Sequence, residues 1–469
     1  MNAPARINPF LAGNFAPIRS EDDFADLPVK GEMPRELAGR LYRTGPNPQF
    51  DPRDENYHWF AGDGMLHAFH IENGKVSYRN RWVRTPKWEL EHAAGQSMFG
   101  TFGNPMTSDP SVIGKDSGVA NTNILYHAGK LLALEEGHQP FEVDARTLGP
   151  KGYLSYAGDA HRFTAHPKID PETGEMLFFG YMAGEEFFGK NVAFGVVDKV
   201  GKVTRLDRFD APYASMIHDF MVTNRHILIP VLPLTGSLDR AMKGQSPFAW
   251  EPEVGAFVGV LARDQSIDKM RWFKTDPNYV FHVMNAWEDG SKIFADVMEY
   301  PSAPLFPNAD GTPGERSAAI LRRWTFDLAG NSDVIKRETL DDMAGEFPRV
   351  DDRRAGLSYR HGWFAARSGR EFNTHFDSIA HFDTKTGKRI AYTLDEGDVT
   401  SEPVFVERGP GAAEGDGWIL AVVYRGNENR SDLVVLDAQA IDKGPIATAE
   451  LPRRVPFGFH GNWAPVSGS

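Results

Sequence analysis

Short apolar runs of β character recur along the whole chain, at 68–85, 124–144, 175–183, 193–210, 226–234, 255–264, 293–300, 320–330, 377–394, 417–426 and 431–439. Many are separated by turn signals: ENGK (72–75), HAGK (127–130), DKVGK (198–202) and KTGK (385–388). Gly-containing tetrads of this kind between extended runs read as hairpin loops. Stretches with a 3.6-residue apolar period are nearly absent, so the pattern predicts an all-β protein. Many short strands with regular turns suit a sandwich, a barrel or a propeller. A wide barrel needs inward polar alternation on every strand, which these runs lack. A seven-bladed β-propeller fits best, with about 67 residues per blade including loops. The non-strand inserts 86–120, 233–252 and 301–318 then form a cap of loops and short helices over one face. No linker divides the chain, and residues 1–469 read as one domain.

Composition removes several functions. The net charge of −13 leaves no basic stripe to displace counterions from phosphates, which argues against nucleic-acid binding. Zero cysteine excludes disulfides, thiolate metal sites and cysteine nucleophiles. The N-terminus has no apolar signal core, and no apolar run reaches the ~18 residues of a membrane span. The expected location is cytoplasmic.

Four histidines stand in distinctive settings: TAHPK (His166), MIHDF (His218), FHVMNAWED (His282) and GFHGNW (His460). Imidazole is the ligand type that suits iron, copper, zinc or nickel. The separations of 52, 64 and 178 residues rule out a helical HExxH site and point to ligands on separate structural units. Glutamates occupy the gaps. Glu346 (AGEFPR) follows His282 by 64 residues, Glu402 (SEPVF) follows Glu346 by 56, and Glu136 (ALEEG) precedes His166 by 30. A ligating histidine usually donates its other ring N–H to a carboxylate or carbonyl, which fixes its tautomer. Polar residues spaced this way and converging on one point need radial repetition.

GRLYRTGPNP (39–48), HWFAGDGMLHAFHIENGKVSYRNRWVRT (58–85), VANTNILYHAGKLLALEEG (119–137), TAHPKIDPETGEM (164–176), MIHDFMVT (216–223), FHVMNAWED, EFPR, SEPVFV and VPFGFHGNW occur in this order. Over nearly its whole length the chain resembles a bacterial member of the carotenoid cleavage oxygenases, the superfamily that includes retinal-pigment-epithelium 65 and lignostilbene dioxygenase. The resemblance implies a seven-bladed propeller with one Fe(II) on its axis, held by His166, His218, His282 and His460, and the cap over the iron-bearing face. It implies that Glu136, Glu346 and Glu402 support three of those histidines, and that the Thr122 methyl shields one open coordination position. It further implies oxidative cleavage of a conjugated C=C bond with O2 as co-substrate, giving two carbonyl products and needing no organic cofactor. Four neutral ligands leave the metal its full charge, and carboxylates behind them supply compensation without using a coordination site.

Against these readings, a histidine beside apolar residues is usually structural, and His67, His70 and His127 are expected to pack or hydrogen-bond within strands. Phe99, Phe102, Trp88 and Phe306 are expected to line an apolar tunnel or to pack in the cap. Cap segments of this type also offer peripheral membrane contact, although no basic amphipathic helix is visible. Two further functions compete: a non-catalytic propeller scaffold, which has no need of four histidines and three glutamates, and a metal-dependent isomerohydrolase.

The substrate class divides on two blocks. Relatives acting on phenolic stilbenes and propenyl phenols carry a tyrosine in FGxYRNP and a lysine before the glutamate matching Glu136. Here FGTFGNP puts Phe102 at the first position and ALEEG puts Glu135 at the second. Phenylalanine donates no hydrogen bond, and a glutamate opposes phenolate formation by like charge. The expected substrate is therefore an apocarotenoid or carotenoid. The alternative is a stilbenoid or phenylpropenoid such as lignostilbene, resveratrol, isoeugenol or 4-vinylguaiacol, cleaved to aromatic aldehydes.

Overall fold

A computed structural model describes residues 8–53, 55, 57–100, 107–369 and 375–465. Phe102 lies outside the described residues. Seven sheets arranged as blades form the predicted propeller. Four blades use consecutive antiparallel strands, beginning on the axis side at Asn123–His127, Lys168–Ile169, Tyr279–Asp289 and Gly345–Val350, and a fifth, beginning at Met221–Val222, is interrupted after its second strand by a small two-stranded insert. The hairpins follow from local chemistry. Asn73 and Gly74, at φ 53° and 78°, and Ala128 and Gly129, at φ 51° and 78°, make the tight turns that the ENGK and HAGK tetrads predict.

The ring is closed by both chain ends. In the first blade, strand Gly39–Pro46 pairs with Gly64–Glu72 on one side and with C-terminal strand Gly461–Pro465 on the other. In the seventh, N-terminal strand Val29–Gly31 pairs with Ala447–Glu450 at the edge of a sheet otherwise built from residues 399–450. Closure this way removes exposed sheet edges between the termini. Strands near the axis, such as Met176–Tyr181 and His361–Ala366, are buried along their length, whereas Val203–Asp210 at a blade rim alternates half-buried and exposed residues. Trp324, Trp363 and Trp418 are fully buried in the packing of the blades.

The inserts contain the helices Pro86–Ala94 and Leu238–Met242 and a small two-stranded sheet, Leu234–Gly236 with Phe248–Trp250. Thr85 caps the first helix by accepting the Trp88 N–H. Residues of all three inserts line a cavity that reaches the axial histidines, so they form a cap there.

Candidate metal centre and cavity

Each blade delivers one polar residue to the axis. In ring order these are His460, Glu136, His166, His218, His282, Glu346 and Glu402, from the first blade to the seventh. His166, His218 and His460 sit just ahead of the innermost strands of their blades, where the chain is free of the pleat. His282 and Glu346 lie inside strands, and the register slips at both: around Val283 for His282, and between Glu346 and Arg349. A bulge re-aims a side chain that strict alternation would send into the sheet. Phe347, beside Glu346, takes a left-handed φ of 55°. Its N–H donates to Glu346 Oε2 at 2.6 Å, and its ring stacks on His282 at 5.2 Å.

The four histidines are buried, and one ring nitrogen from each lies within 4.8 Å of all the others. His166 and His218 bring their Nε2 atoms to 3.1 Å, and His218 and His282 to 3.2 Å. Behind the cluster, His218 Nδ1 contacts Glu136, His282 Nδ1 contacts Glu346, and His460 Nδ1 lies 2.9 Å from Glu402 Oε1. A carboxylate at Nδ1 holds the proton there and leaves Nε2 as a lone pair. Lone pairs facing one another at such distances repel unless a cation lies between them. The donor set therefore fits a divalent transition metal bound by neutral imidazole nitrogens. Among the described residues, no carboxylate supports His166 in this way.

Electrostatics favour the neutral ring at His166 and His460. Burial, reinforced by the other histidines, pushes His166 far below its usual range. Burial also lowers His460 to about 4 despite the opposing Glu402 charge. For Glu402 burial acts upward, but His460 and Arg349 outweigh it and hold the carboxyl at about 2. At His282 the balance is reversed, since Glu346 overcomes burial and raises it.

A cavity of about 510 Å³ runs from the cap to His218, His282 and His460. Its wall includes Phe60, Phe99, Phe188, Phe281, Phe347 and Phe459, and Thr122 also faces it. Thr122 is held close to the last histidine of the cluster, its carbonyl accepting the His460 N–H at 3.3 Å. Phe187 and Leu305 line the same cavity while remaining 53% and 56% exposed, which locates its mouth between the loop after strand Met176–Tyr181 and the cap. A second, more polar cavity of about 290 Å³, bordered by Lys168, Asp219, Arg349 and Asn462, shares only His282 and His460 with it.

Of the residues expected to line a tunnel or to pack, Phe99 lines the cavity, while Trp88 and Phe306 pack. Trp88 packs against Trp82 and stacks on His92, because the helix carrying it turns that face to the first blade. Phe306 sits one layer back, against Phe60 and Phe248. Glu135 reaches the cavity, as does Glu136, because both follow the end of strand Lys130–Leu134 and escape its alternation. It is not the unpaired carboxylate that its sequence position suggests: it accepts the Val119 N–H at 2.9 Å and lies 2.8 Å from His138 Nδ1. His67 and His127 bond within the fold, to the Tyr78 hydroxyl and the Gly174 carbonyl. Sequence reasoning missed three supporting side chains: Tyr181, whose hydroxyl donates to Glu136, Arg349, which lies 3.4 Å from Glu402, and His138. Only Arg349 carried a signal, through its place in EFPR.

A propeller with four axial histidines and three supporting carboxylates defines an enzyme of the four-histidine, metal-centre class. The family model for the retinal pigment epithelial membrane protein, RPE65, matches residues 15–465, and the chain belongs to that family, the carotenoid cleavage oxygenases. It is 43% identical to an isoeugenol monooxygenase of Pseudomonas nitroreducens, over 98% of this chain and 99% of that one. It is 33% identical to a carotenoid cleavage oxygenase of Mycobacterium tuberculosis, over 98% of each. The crystal structure of Pseudomonas brassicacearum lignostilbene dioxygenase superposes with a TM-score of 0.94 at 35% identity, covering 99% of this chain and all of that one. The protein is an oxygenase of this family.

Proposed function

We propose that this protein is a non-haem Fe(II) oxygenase that cleaves the side-chain double bond of a phenylpropenoid or stilbenoid with O2, yielding an aromatic aldehyde and a second carbonyl product. The observation that carries the reading is the aromatic-lined cavity ending on three of the four histidines, with a short polar stretch at Glu135 and His138. Such a site buries a flat conjugated molecule and orients it through few polar contacts. Iron bound by the four histidines supplies the activation of O2. The protein's own part is positional. Glu136, Glu346 and Glu402 hold the imidazoles in one tautomer, while the phenylalanine wall excludes water and presents the alkene to the metal face.

The relatives named above support the phenolic class over the apocarotenoid expected from sequence, since the isoeugenol monooxygenase is the more similar and the lignostilbene dioxygenase superposes almost completely. The argument for an apocarotenoid also loses its electrostatic basis, because the Glu135 charge is engaged by His138 and Val119.

Purified iron-loaded protein is incubated with isoeugenol, 4-vinylguaiacol, resveratrol and an apo-8′-carotenal, and the products are identified by mass spectrometry. The proposal expects kcat/KM to favour a phenol, with an aromatic aldehyde formed. A clear preference for the apocarotenal overturns the substrate class, and full activity with stoichiometric zinc after iron chelation overturns the metal.

A further inference from the structure

The two cavities approach the four histidines from opposite faces of the propeller. The wall of the larger one includes connections between second and third strands of their blades, at residues 135–138, 187–188 and 304–305. The wall of the more polar one includes connections between first and second strands, at residues 170–172, 223–224 and 355–357. Successive connections of an antiparallel sheet lie at opposite ends of it, so the polar cavity opens on the face away from the cap. Glu172 and Asn224 are exposed there, which sets its mouth in solvent. Its inner end is bordered by His166, His282 and His460. His166 lines this cavity and not the other, whereas for His218 the reverse holds.

The two walls differ in chemistry. On the cap side phenylalanine rings dominate, and the cations of Lys87, Arg162 and Arg367 offset the carboxylates of Glu135, Glu136 and Glu346. Among the described residues, the polar wall carries five carboxylates, from Glu172 at the mouth to Glu402 beside His460, against two cations, Lys168 and Arg349. Lys168 is held by Asp219 at 2.7 Å, and Arg349 lies 3.4 Å from Glu402, so neither cation stands unopposed in the path. A divalent ion sheds its water at a large cost against an apolar wall, whereas carboxylates along a passage replace that hydration and attract the ion.

Resting on the metal reading above, we propose that this second cavity is the loading port of the protein. A hydrated divalent cation enters at Glu172 and Asn224, passes the carboxylate wall and exchanges its waters for imidazole nitrogens, starting from His166, His282 and His460. The cap-side cavity is left to the organic substrate. No electron or proton transfer enters this step; only the ion's ligands change. Metal uptake and substrate entry therefore use different faces of one axis.

The chain has no cysteine, so one introduced thiol gives one labelling site. Asn224→Cys puts it at the mouth of the polar cavity and Leu305→Cys at the mouth of the cap-side cavity. Each metal-free variant is alkylated with pyrene maleimide, and uptake of Co(II) is followed by its visible absorption. The label on Asn224→Cys is expected to slow uptake about tenfold or more relative to the same variant unlabelled, and the label on Leu305→Cys to leave it unchanged. Asn224→Cys loaded with iron before alkylation is expected to keep its turnover, which separates loading from catalysis. In a second measurement, the pair Glu172→Lys and Asn224→Lys is expected to slow uptake about tenfold at low salt, with the difference shrinking as ionic strength rises. Uptake slowed as much by the label on Leu305→Cys, or unchanged by both the label on Asn224→Cys and the lysine pair, overturns the proposal. Loss of turnover when loaded Asn224→Cys is alkylated overturns it too, because the cavity then serves the reaction. If the wild type binds neither Co(II) nor Fe(II), the metal reading fails and the port fails with it.

Discussion

Glu402 places one carboxylate oxygen 2.9 Å from His460 Nδ1 while the other accepts the Gly461 N–H at 2.8 Å. One side chain of the seventh blade thus holds both the last histidine of the axial cluster and the first residue of the strand that closes the ring. Arg349, from the sixth blade, lies 3.4 Å from the same carboxylate and donates to the Gly461 carbonyl at 2.8 Å. The candidate metal cluster and the ring closure therefore share this contact.

Glu402→Gln keeps the shape but removes the charge that orients His460 and balances Arg349. Metal affinity is expected to fall roughly 10–100-fold, read by competition with a chelator of known affinity. Glu346→Gln should fall in the same range, since it supports His282 in the same way. Unchanged affinity in both variants would show that the carboxylates are not needed to orient the rings.

His218→Ala and His460→Ala each remove one of the four candidate ligands. Wild-type protein is expected to carry about one iron per chain, and each variant to lose both iron and turnover, checked by elemental analysis on folded monodisperse protein. Stripping the wild type with a chelator should lower its unfolding temperature, because a metal that binds only the native state stabilises it by mass action. Iron and turnover retained in His218→Ala would contradict the assignment.

Gly45→Ala probes the closure. A Cβ at Gly45 would meet the Gly458 Cα at 2.4 Å, two residues ahead of His460. Neither backbone can yield without moving the other, so a loss of about 1–3 kcal/mol is expected, together with weaker metal binding. Thermal unfolding and metal titration of the same preparation check both.

Glu288 gives an acid-dependent clamp away from the metal. It lies on the fifth-blade strand Tyr279–Asp289 and contacts Thr223, Arg225 and His226 of the fourth blade. Burial raises its carboxyl, but the His226, Thr223 and Arg225 hydrogen bonds outweigh that and hold it at about 2. A depressed carboxylate contributes stability above its unfolded pKa, and that contribution is lost as pH falls through the folded value. Glu288→Gln should therefore unfold at lower temperature than wild type at pH 7, with the gap narrowing between about pH 4.5 and lower values approaching 2. A gap independent of pH across the accessible part of that window would refute the clamp.

Strand content, hairpin turns and the number of blades were legible in the chain because they depend on local chemistry: extended apolar runs, Asn-Gly and Ala-Gly turns, and polar residues recurring about once per blade. His166, His218, His282 and His460 could be singled out because their flanking blocks are distinctive and because cysteine is absent. Which nitrogen of each ring faces inward was decided only by the fold. Glu136 reaches past the third blade to a histidine of the fourth, and the bulges at Val283 and Phe347 turn side chains that alternation would misplace. Glu135 shows the same limit most clearly. In the sequence it is a charge standing where relatives carry a lysine, whereas in space a bend three residues long brings His138 to its side and makes the two a neutralisable pair. Local pattern determines what a segment can become. The sign and strength of a charge in a cavity depend on neighbours that arrive only when the chain folds, because electrostatic interactions act through distance in space and not along the backbone.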